Sequence, residues 1–81
     1  MTPKELQALD LEFNAAYEFL YEYGDTTPAY DAAVADFDNE MQKRGKVWEV
    51  AQYLANYRLD LITSDREAAA FMIAYKKLYA A

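Results

Sequence analysis

With 81 residues and neither cysteine nor histidine, the chain has room for one domain and is denied disulfides, thiolate nucleophiles, zinc-thiolate sites and the commonest general base near neutral pH. Hydrophobic residues make up 54% of it and aromatics 16%, enough for a packed core and too much for intrinsic disorder. The net charge of -6 is unevenly spread: residues 1–41 carry ten acids against Lys4 alone, while residues 42–81 carry seven bases against four acids, a balance that suits a basic partner and not nucleic acid.

Thr2-Pro3-Lys4-Glu5 is a helix start, with Thr2 as N-cap, Pro3 in the first helical position, Glu5 closing a capping box, and Met1 and Leu6 placed for a hydrophobic staple. Leu6, Leu9, Phe13, Ala16, Leu20 and Tyr23 follow at alternating steps of three and four, and Gly24 stops the helix. The aromatic run from Tyr17 to Tyr23 is also rich enough for a strand, but a strand would put Leu20 on the glutamate side. A helix over 3–23 instead points Leu20 and Tyr23 inward and Glu18 and Glu22 outward, with Tyr17 and Tyr21 between.

Thr26-Thr27-Pro28 repeats the start signal, and Tyr30, Val34, Phe37 and Met41 form the stripe of a second helix over 28–44, acidic early and basic late as the helix dipole favours. Val47, Val50, Ala51, Leu54, Tyr57 and Leu61 then predict a third helix over 46–62. Trp48, Ala55, Leu59 and Ile62 widen its apolar arc to roughly 200°, more than one packing face needs. Helix three is therefore expected to be central, or to meet another chain. Arg58 projects within that arc, either snorkelling to an acid of the N-terminal half or anchoring an interface. Ser64-Asp65-Arg66-Glu67 is another capping box and opens a fourth helix over 65–79, closed by Lys76 and Lys77. Both glycines and both prolines fall at helix boundaries, so strands have no place to turn. The expected fold is all-α, a compact bundle of four short helices in one acidic domain over 1–81.

Little in the chain suggests chemistry. Asp36, Asp38 and Glu40 alternate like calcium-loop ligands, but the loop's glycine position holds Met41 and its bidentate glutamate position holds Val47. On a helix Asp38 falls to one side of the stripe and Asp36 with Glu40 to the other. No metal and no cofactor is expected. Fourteen acids make some close pair inevitable, so paired carboxylates carry no specific signal for hydrolysis, and Gly24 and Gly45 stand alone instead of forming a phosphate loop. Gln42, Lys43, Arg44 and Lys46 beside Trp48 are the only basic patch. Bases at a helix end are ordinary dipole partners, and the acids next door repel phosphate within a Debye length of about 8 Å. The chain is expected not to be an enzyme.

The remaining signal is a surface. Asp10, Asn14, Glu18 and Glu22 recur every four residues as one ridge, with no lysine on it to relieve the repulsion. Asp25, Asp36, Asp38 and Glu40 extend the acidic field. Tyr21 would add contact area; with Tyr53 it is the tyrosine expected to be exposed, whereas Tyr30, Tyr57 and Tyr75 fall on core stripes. In size, charge asymmetry and lack of catalytic groups the chain resembles phage-encoded inhibitors of host defence, including anti-CRISPR proteins. That resemblance of type implies a protein-protein interaction module occupying a basic nucleic-acid-binding site, such as that of a nuclease. The alternative is a homo-oligomeric accessory protein, a homodimer joined through Trp48 and Leu59 of helix three. With no leader-like or membrane-length apolar run, a cytoplasmic location is expected.

Overall fold

The computed structural model describes residues 2–24, 27–57 and 64–79, the side chains of 55 and 57 excepted. They form four helices, α1 (Pro3–Tyr23), α2 (Pro28–Lys43), α3 (Lys46–Tyr57) and α4 (Asp65–Tyr79), and no strand, so the fold is an all-α bundle. Met1, Asp25, Arg58 and Leu59 lie outside the described residues, as does the predicted last turn of helix three.

Each predicted start is made by its predicted cap. The Glu5 backbone N–H donates to Thr2 Oγ1 at 3.2 Å, and the same hydroxyl donates to Glu5 Oε1 at 3.1 Å. Thr27 Oγ1 accepts from the Tyr30 N–H at 3.2 Å, and Ser64 Oγ from the Glu67 N–H at 3.3 Å. Gly24 ends α1 at a φ of 94°, its N–H donating to the Leu20 carbonyl at 2.8 Å. Helix α2 ends at Lys43, one residue short of the expected Arg44, because Arg44 itself turns left-handed (φ 51°) and caps the helix through its N–H to the Met41 carbonyl.

Gly45 therefore does not supply the positive φ that its position after the helix would suggest. Its carbonyl accepts the first bond of α3, from the Glu49 N–H, and a Cβ built on it meets nothing within 4 Å. Gly45→Ser should add an N-cap acceptor and restrict the unfolded chain, stabilising by about 0.5–1 kcal/mol. A rise in Tm of about 2–6 °C on a calorimetric scan is the expected result.

The bundle is organised around α4. Helices α1 and α2 both pack along it, and α3 packs chiefly against α2. This corrects the expectation that helix three is central. Ala68, Ala69, Ala70, Phe71, Met72, Ala74 and Tyr75 are all buried, and at 100° per residue they leave no gap wider than about 100° around the helix. Alanines weigh little in a hydrophobic stripe, yet they let neighbouring helices approach from every side. Among the described side chains of α3, the buried residues Val47, Val50, Ala51 and Leu54 make one stripe.

Phe71 lies at the centre, fully buried, with the Phe37 ring edge-on at 5.8 Å and the Tyr75 ring stacked at 5.9 Å. The Tyr79 hydroxyl donates to the Glu5 carbonyl at 3.2 Å and ties the end of α4 to the start of α1. Burial pushes the Tyr75 phenol above its ordinary pKa near 10, with a further push from Glu40; burial does the same to Tyr79, reinforced by Glu5 and Tyr75. A phenol with a raised folded pKa contributes stability that is complete below the unfolded value and is lost as pH rises through the folded one. Urea midpoints should thus hold up to about pH 9 and fall above about pH 10, and Tyr75→Phe should make the alkaline fall shallower.

Candidate interaction surface

The outward face of α1 carries the centre of the predicted site. Glu18, Tyr21 and Glu22 are exposed, and with half-buried Tyr17 they line one shallow groove. The Tyr17 ring leans on Phe13 at 6.1 Å, which connects the groove to the core. Asp10, two turns earlier on the same ridge, is half-buried. Among the described residues no ion pair closes on Glu18 or Glu22.

The acids of α2 are placed differently. Lys76 of α4 pairs with Asp36, and Lys43 reaches Glu40 at 3.4 Å. Lys77, next to Lys76, turns to α1 and meets Glu12 at 3.0 Å. The adjacent lysines stand between the acidic residues of α1 and those of α2, so among the described residues Glu18 and Glu22 are not continuous with Asp36 and Glu40. Asp38 falls on the other side of α2 from Asp36 and Glu40, as its helical position predicts, where it borders a concavity with Arg44 and Trp48. Trp48 is half-buried, with the Arg44 guanidinium 5.5 Å above its ring.

Two other bases face aromatic rings. Arg66 sits 5.1 Å over the Tyr21 ring, and Lys46 sits 5.2 Å over Tyr79. The Arg66 guanidinium, at the start of α4, covers one face of the Tyr21 ring, and the tyrosine is still 71% exposed. Tyr53 is also exposed, and Tyr75 is buried, each as the sequence predicts.

Tyr23 does not point inward. It is 62% exposed and packs its ring on Phe19, centroid to centroid 4.8 Å, with Phe19 itself 51% exposed. An α-helix drifts by about 20° per heptad against a strict seven-residue stripe, so Leu9, Ala16 and Tyr23 rotate progressively off the core line, and Tyr23 ends beyond its edge. Leu11, 65% exposed, lies on the same outer side. Leu11, Ala15, Phe19 and Tyr23 recur every four residues and form an apolar row beside the acidic one, Glu18 standing three residues from Ala15 and Glu22 three from Phe19. This row is absent from the expected site. Counting 100° per residue from Leu11 would have found it.

No family model, curated protein or solved structure matches the chain. Its surface has to be understood from its own chemistry. Among the described residues no three carboxylates gather where a metal ion could be held, and no helix is long and apolar enough to cross a membrane.

Proposed function

We propose that this chain is a small acidic protein-interaction module, not an enzyme, that acts in the cytoplasm by occupying a basic site on a partner protein. The partner's site is of the kind that otherwise holds nucleic acid, as for a phage-type inhibitor of host defence. One observation carries the reading: Glu18 and Glu22 stand one turn apart on the outer face of α1, with no cation on them among the described residues and the exposed Tyr21 alongside. Two exposed carboxylates in that register repel each other by a few tenths of a kcal/mol, a cost that a row of partner arginines or lysines would reverse.

The likeness to nucleic acid is one of charge and not of spacing. Carboxylates one turn apart are about 6 Å apart along the axis, whereas phosphates on one DNA strand repeat every ~3.4 Å. Capture of a partner on immobilised protein should weaken steeply as salt is raised above physiological strength, and the double variant Glu18→Lys with Glu22→Lys should capture nothing. Retention at high salt would remove the electrostatic basis of the proposal.

A further inference from the structure

The apolar row on α1 extends this reading, and the inference rests on the outer face of α1 being the binding site. A monomeric domain ordinarily scatters its exposed apolar residues; here Leu11, Phe19 and Tyr23 align with Ala15 over three turns of one helix, about 18 Å, and flank two carboxylates that have no cation among the described residues. The Phe19 and Tyr23 rings already pack on each other, so their shape is set before anything binds. We infer that α1 docks an amphipathic basic helix of the partner, whose apolar ridge lies on Leu11, Phe19 and Tyr23 and whose flanking lysines or arginines meet Glu18 and Glu22.

Charge selects this occupant over the others. A second copy of the chain brings another net charge of -6, and a two-fold antiparallel pairing of the two α1 faces puts both acidic rows along the same rim. An anionic membrane surface is repelled by the same carboxylates. A bare polycation satisfies Glu18 and Glu22 but leaves the aromatic row wet. A helix carrying both an apolar ridge and basic flanks matches the two adjacent rows at once, its ridge packing beside the four-residue ridge of α1.

The test uses two synthetic peptides of about 18 residues, roughly 27 Å as helices: one amphipathic in leucine and lysine, and one with every leucine replaced by serine at equal charge. Fluorescence anisotropy should show the leucine-lysine peptide binding at least tenfold more tightly than the serine-lysine peptide. Leu11→Gln with Phe19→Gln should remove that preference; both side chains are exposed, so far-ultraviolet circular dichroism should stay unchanged. Equal binding of the two peptides, or an unaltered preference in the glutamine variant, overturns the apolar half of the site. The acidic reading survives that outcome if Glu18→Lys with Glu22→Lys abolishes binding of both. If neither peptide binds, both readings fall. Sedimentation of a dimer that the glutamine variant dissociates would assign the row to a second copy instead, which also overturns the inference.

Discussion

Phe71→Ala should lower stability by about 3–5 kcal/mol, a large share of what a domain of this size has. The side chain is fully buried on the helix that both α1 and α2 pack against, so its removal opens a void that no single helix can close by shifting. Phe37 loses its edge-on partner and Tyr75 its stacked one in the same change, adding the geometric part of two aromatic pairs to the lost burial. A domain of this size has roughly 4–12 kcal/mol of stability to lose. Urea titration followed at 222 nm should show the midpoint falling by about 3–5 M for a slope near 1 kcal/mol/M. Phe71→Leu, which keeps most of the volume, should cost less than half as much. A small shift for the alanine variant would mean that α4 is not the organising helix.

Glu18→Lys with Glu22→Lys has the second large effect, on binding and not on folding. Two charges change sign on one exposed face, a net change of four units, and each carboxylate that meets a partner cation is replaced by a like charge. The expected loss of affinity is at least 100-fold, about 2.7 kcal/mol, appearing chiefly as a slower on-rate at low salt and a faster off-rate at all salts. Folding should be almost indifferent. The i, i+4 pair stays like-charged, while the last turn of α1, which has no base now, gains one cation, at position 22, that its dipole favours. An unchanged thermal transition combined with unchanged affinity, measured by titration calorimetry against the captured partner, would exclude the ridge.

The fold was legible because its signals are local. Thr2, Thr27 and Ser64 cap helices that start where a short polar side chain is followed three residues later by an N–H it can accept from, and this needs no tertiary information. The end of α2 was misplaced by one residue because glycine is the default for a left-handed cap, while Arg44 adopts that conformation here. The identity of the central helix was not legible. Burial of Ala68, Ala69 and Ala70 is decided by how closely other helices approach, and the hydrophobic arc of α3 gave a larger signal from bulkier residues.

On the surface, the acidic ridge could be read directly from the four-residue spacing of Glu18 and Glu22. The pairing of Asp36 with Lys76 joins residues forty positions apart and depends on packing alone. Leu11 and Phe19 are not marked as surface residues by their type, since apolar residues belong to the core by default and the stripe through Leu9, Phe13 and Leu20 already supplies it.

The packing order also governs how the protein is made. Helix α1 finds its main support on α4, the last of the four to leave the ribosome, and the bond from Tyr79 to Glu5 spans nearly the whole chain. While α2 and α3 emerge, Leu9, Phe13 and Leu20 lack the helix against which α1 chiefly packs. Folding should therefore wait for translation to pass Tyr79, with a nascent chain that exposes its core-forming side to chaperones and proteases until then. Chains truncated before α4 should be degraded rather than accumulate as a smaller bundle.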